Sequence, residues 1–130
     1  MILVDSSVWV DFFSAKPGGP GDALRRMIAE AEPFALTGIV VAEVLQGLTR
    51  DVARIEGYLA QWDLLEPRGF GTYREAAAIF RLCRSRGVSL TTTDALIGTI
   101  ALEHGASVFT LDKDFVRMAR WTGLKLYAGR

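Results

Sequence analysis

Residues 2–13 read ILVDSSVWVDFF: three apolar residues, one aspartate, two serines and then an aromatic-rich run. The first part has the pattern of a short buried strand. After Asp5 the spacing changes, and Trp9, Phe12 and Phe13 fall on one side of a helix. A strand that turns into a helix at a lone carboxylate opens an α/β unit. It also poses a question, because no other charge lies within the first ten residues. Either Asp5 caps the helix, or it waits for a cation.

The rest of the chain repeats this alternation. KPGGPG at 16–21 is the strongest break and reads as a mobile loop, after which Asp22 is expected to cap a helix with Leu24, Met27, Ile28 and Ala31 inward. FALTG at 34–38 fits a second strand, followed by the apolar helix IVVAEVLQGL and a more polar one over about 52–62. DLLE at 63–66 is a third strand. A helix from Thr72 to Arg86 stops at Gly87, and TTTDALIGTIALEHG is a helix apolar almost all round, hence central. SVFTL, the amphipathic DKDFVRMARWTG and LKLY supply a fourth strand, a helix and a fifth strand. Strands alternating with helices predict a parallel sheet covered on both faces.

The length, 130 residues with half of them hydrophobic, suits one domain spanning 1–130 with its own core. No apolar run is long enough to span a bilayer, and the apolar start lacks the basic region and cleavage site of a signal peptide, so a cytoplasmic, membrane-free protein is expected. The single cysteine, Cys83, agrees with a reducing compartment. Fifteen basic residues balance fifteen acidic ones, which excludes a global positive field as the basis of nucleic-acid binding. The mean hydropathy, +0.23, hints at apolar surface covered by another chain.

Against this background three acids stand alone. Asp5 is one; Glu43 is the only charge between Gly38 and Thr49, and Asp94 the only one between Gly87 and Leu102. Burying an ionised carboxylate without a partner costs several kcal/mol, so each needs a cap, an arginine or a metal ion. Helix capping is open to Asp5 and, through Thr91-x-x-Asp94, to Asp94; Asp112 and Asp114 begin a helix whose dipole favours them. Glu43 lies inside an apolar helix, where no cap applies.

Topology gathers these acids, since in an open parallel sheet functional groups collect beyond the carboxyl ends of the strands, where strand order reverses. Asp5, Glu43, Asp94 and Asp112 can all reach that crevice. Like charges so close raise one another's pKa, and a hard divalent cation removes the conflict. An all-oxygen donor set favours magnesium or manganese, and such a site suits phosphoryl chemistry by metal-activated water. The hydroxyls of Ser6 and Thr110 are placed to orient ligands or water, or to cap local backbone.

LVDSSVW, VAEVLQG, TTDALIGTIAL and VFTLDKDF, in this order and spacing, resemble the PIN-domain nucleases, most closely the VapC toxins of bacterial toxin–antitoxin pairs. The resemblance covers nearly the whole chain. It implies a three-layer α/β fold with a five-stranded parallel sheet flanked by helices, and a magnesium- or manganese-dependent endoribonuclease acting on RNA. It further implies that Asp5, Glu43, Asp94 and Asp112 are the catalytic, metal-holding acids, with Asp114 a further acid whose role varies. One departure is Val40, where a hydroxyl residue is common. The implied partners are a small cognate antitoxin, which lays a helix in an apolar groove and pushes a basic side chain into the acidic site, and a second copy of the chain.

Other features are less specific. Lys113, Arg117 and Arg120, at i, i+4 and i+7, form a basic stripe that either holds a phosphate backbone or is a solvated face. Trp9, Phe12 and Phe13 either line the antitoxin groove or belong to the core. His104 reads as a helix-end residue complementing the dipole. Two rival functions remain: a phosphatase or phospho-acceptor domain using Asp5 as nucleophile, though VDSS lacks a second aspartate two residues on, and a non-catalytic nucleic-acid or protein-binding module on the same fold.

Overall fold

The computed structural model describes residues 1–128. Four parallel strands, β1 (Ile2–Val4), β2 (Phe34–Ala35), β3 (Ser107–Phe109) and β4 (Lys125–Leu126), line up in the order β2-β1-β3-β4. β1 pairs Ile2 with Phe34 on one side and with Ser107 on the other, so the first strand of the chain lies inside the sheet. Its neighbouring residues Leu3 and Val4 are both fully buried. Successive strand residues point to opposite faces, so both faces of the sheet are covered.

Among the described residues seven helices do the covering: α1 (Ser6–Phe13), α2 (Gly19–Ala29), α3 (Gly38–Gln46), α4 (Val52–Leu59), α5 (Phe70–Ser85), α6 (Thr92–Glu103) and α7 (Lys113–Ala119). α1 packs against α2 and α3, α6 against α5 and α7, and α3 touches α6. α6 is enclosed as its all-round apolar pattern predicts, with Ala95, Ile97, Gly98, Thr99, Ile100 and Ala101 buried. Gly87 ends α5 at φ +80°, a conformation that favours glycine. No helix of the described residues is long and apolar enough to cross a membrane.

Two expectations need correction. The third strand expected at 63–66 is a single parallel bridge between Leu36 and Leu64: Leu36 N–H donates to Asp63 O at 3.1 Å, and Leu36 O accepts from Leu65 N–H at 2.7 Å. The ladder cannot extend beyond this pair towards the C-terminus. Thr37 has already turned to cap α3, its hydroxyl accepting from Val40 N–H at 3.2 Å, and Pro67 has no N–H to give. The sheet therefore has four strands among the described residues.

KPGGPG is the second case. Its last three residues already belong to α2, with Gly18 at the cap position and Pro20 in the first turn, where proline's missing N–H costs nothing. Asp22 sits inside the helix and does not cap it. The anchor is Asp11, whose carboxylate accepts from Gly18 N–H at 3.0 Å and from Gly21 N–H at 2.8 Å. A Cβ on Gly21 would lie 2.8 Å from that same carboxylate and 3.1 Å from Phe12 Cα, so only glycine fits this approach.

Candidate active site

Asp5 follows β1 at the point where neighbouring connections run to opposite sides, towards β2 and towards β3. Its backbone N–H continues the sheet by donating to Phe109 O at 2.9 Å, while its carbonyl accepts from Val8 and Trp9. Its side chain makes no cap hydrogen bond to α1. Instead the carboxylate, 4% exposed, takes hydroxyl donors: Oδ2 accepts from Thr110 at 2.8 Å and from Ser7 at 3.0 Å.

Glu43 enters from the second turn of α3, and its Oε1 accepts from the Ser6 hydroxyl at 3.2 Å. Burial raises its pKa; the Ser6 hydrogen bond opposes this in part, and the carboxylates of Asp5 and Asp112 raise it further. Asp94 stands in the first turn of α6. Thr91 caps that helix, its hydroxyl accepting from Asp94 N–H at 3.0 Å, so the Asp94 carboxylate is not needed as the cap. Burial above all, then Asp112, Asp5 and Asp114, push the Asp94 carboxyl up to about 6 against the pull of the Thr91 hydroxyl.

Asp112 does cap a helix. Its Oδ1 accepts from Asp114 N–H at 2.9 Å at the start of α7, and its own N–H donates to Thr110 Oγ1 at 2.9 Å. The turn brings Asp94, Asp112 and Asp114 together, each offering a carboxylate oxygen within 4.8 Å of the other two. Asp5 and Glu43 adjoin this trio: the Asp5 charge bears on Asp94, and the charges of Asp5 and Asp112 bear on Glu43.

This donor set has little basic charge of its own. Among the described residues the ion pairs are Arg54 with Asp51 and Arg117 with Asp114, so four of these five acids have no basic partner. Oxygen-only ligands held by hydroxyls and backbone, with no cysteine or histidine in the trio, fit a hard divalent ion.

The basic stripe has a divided character. Lys113 and Arg120 are exposed, but Arg117 Nη1 donates to Asp114 Oδ1 at 2.8 Å. Trp9 is fully buried among Phe12, Phe13, Phe34 and Trp62, and is a core residue; Phe12 and Phe13 are partly covered and stack around Tyr58. His104 lies at the far end of α6 from Asp94, about 15 Å along the axis at 1.5 Å per residue. Its Nε2 meets Glu66 O at 2.8 Å, which ties down the segment after the Leu64 bridge.

Ser7 escapes the sequence reading. It looks like an ordinary first-turn serine, but it joins Asp5 to the loop before Asp112, accepting from Leu111 N–H at 2.9 Å. The available signal was the doubled hydroxyl after Asp5, which puts one serine on each side of the carboxylate.

The comparisons agree with this architecture. The PIN domain family profile matches residues 2–120. Ribonuclease VapC11 of Mycobacterium tuberculosis is 32% identical over 129 residues, covering 96% of both chains. Among solved structures, VapBC2 from Rickettsia felis bound to a DNA fragment from their promoter aligns with a TM-score of 0.76 at 17% identity over 98% of both chains. FitAcB from Neisseria gonorrhoeae aligns with a TM-score of 0.75 at 19% identity, over 98% of this chain and 96% of that one. At such identities the solved structures speak to the fold alone.

Proposed function

Because the chain belongs to the PIN-domain family, we propose that it is a metal-dependent endoribonuclease and the toxin of a VapBC-type toxin–antitoxin pair. The observation that carries this reading is the convergence of Asp94, Asp112 and Asp114, with Asp5 and Glu43 beside them, on a spot with so little basic charge of its own. Magnesium or manganese is the ion that oxygen donors of this kind select. Asp94, Asp112 and Asp114, with Asp5 beside them, would hold it, and Glu43 completes the acidic surround. When bound, the cation acidifies a water and stabilises charge developing on a phosphodiester.

The chain's own groups divide the remaining work. Ser6 donates to Glu43 Oε1 and so orients this carboxyl towards the other acids. Lys113 and Arg120 hold RNA phosphates beside α7, while Arg117 is occupied by Asp114. As a toxin, the protein works as a homodimer and is silenced by a small antitoxin that sets a basic side chain into the acids. The phospho-acceptor alternative is disfavoured, since VDSS lacks a second aspartate two residues after Asp5 and the chain belongs to the PIN-domain family.

The test is incubation of the purified protein with total cellular RNA, with and without manganese, followed by sequencing of fragment ends. Defined new ends are expected only with the metal, and Asp5→Ala and Asp94→Ala are expected to abolish them while remaining folded. Cleavage retained by both variants rejects the reading.

A further inference from the structure

Hydrogen bonding accounts fully for one oxygen of Asp5. Oδ2 accepts from Ser7 Oγ at 3.0 Å and Thr110 Oγ1 at 2.8 Å. A hydroxyl owns a single proton, and here the direction in which it is given is set from behind. Leu111 N–H donates to Ser7 Oγ, and Asp112 N–H donates to Thr110 Oγ1, both at 2.9 Å. Each hydroxyl oxygen thus receives a backbone proton and passes its own to Asp5. The two hydroxyl oxygens, 3.3 Å apart, have no proton left for each other. Oδ1 is treated differently: the Ser6 hydroxyl is 3.5 Å away and lies nearer Glu43, at 3.2 Å.

We propose that Ser7 is a positioning residue of the acidic site: with Thr110 it saturates Asp5 Oδ2, locks the carboxylate plane, and leaves Oδ1 as the single oxygen Asp5 presents to a divalent cation. The inference rests on the metal-dependent reading above. Ser7 has a second hold on the site, because Leu111 belongs to the loop that delivers Asp112. One side chain on α1 thereby registers the end of β1 against the loop before α7. Groups that orient metal ligands in this way typically change metal affinity by about tenfold or more when removed.

Calorimetric titration of the full chain with manganese tests this, using wild type, Ser7→Ala and Ser7→Thr, with the thermal melt of each recorded in chelator. Ser7→Ala is expected to bind manganese about tenfold more weakly than wild type, and Ser7→Thr, which keeps the hydroxyl, to recover most of the loss. Should Ser7→Ala melt below the titration temperature, Ser7→Cys, a far weaker donor of similar size, carries the same comparison. Equal affinity in wild type and the hydroxyl-free variant overturns the proposal. So does a loss that follows a lowered melting temperature and is not restored by threonine, since that describes a merely structural serine. A wild-type protein that binds no manganese removes the metal-dependent reading itself, a different result from metal binding that ignores Ser7.

Discussion

At the scale of single residues, the site is a place where the fold accepts electrostatic cost. Asp94 illustrates it. Its carboxyl has an ordinary pKa of 3.8, pushed up to about 6 in the folded, metal-free chain. Between those values the folded state holds a proton that the unfolded state has lost, so the contribution is fully present below pH 4 and lost as pH rises through 6. Asp94→Asn removes the penalty. The metal-free variant is expected to melt above wild type at pH 7 by about 3 °C, or about 1 kcal/mol after allowance for solvent screening of a half-buried group. The difference should vanish near pH 4, as scanning calorimetry at both pH values would show. Equal melting temperatures at pH 7 would mean that burial and the neighbouring carboxylates do not raise the Asp94 carboxyl as described. Asp5, Glu43 and Asp94 were legible as lone charges in apolar stretches. Ser7 was not, because its importance lies in a bond to a loop 104 residues away, and no local pattern records that distance.

At the scale of elements, legibility followed how much of the signal was local. The apolar runs at 2–4 and 107–109 identify inner strands, and the pattern of α6 marks it as central. The start of α2 was misread because its cap comes from Asp11, on the preceding helix, and glycine and proline signal a loop wherever such a remote anchor is missing. DLLE was misread for the converse reason: its composition suits a strand, but its neighbour turns away after one pair. The approach of α6 to α7 matters most for the site, since these two helices carry Asp94 and Asp114. It depends on Gly98, where a methyl group would land on the sulfur of fully buried Met118. Gly98→Ala is expected to cost about 1–3 kcal/mol by overpacking, read as a lower denaturant midpoint with an unchanged slope. Stability equal to or above wild type would mean that Met118 simply moves aside.

At the scale of the whole molecule, a cation that binds only the folded state stabilises everything through mass action. Manganese at one hundred times its dissociation constant is expected to add about 2.7 kcal/mol, raising the melting temperature by about 8 °C relative to chelator. An unchanged melting temperature in saturating manganese would deny the acids a metal. Balanced net charge makes this local relief the main electrostatic lever, since the chain has no overall field for salt to screen.

The central position of β1 carries a consequence for synthesis. β1 waits for its neighbour β3, which is made about a hundred residues later, and the hydrogen bond from Thr110 to Asp5 spans 105 positions. Such long-range closure is slow compared with local helix formation. A ribosome that stalls before residue 112 leaves a chain without Asp112 and Asp114, so an unfinished copy lacks two of the three acids that come together at the site.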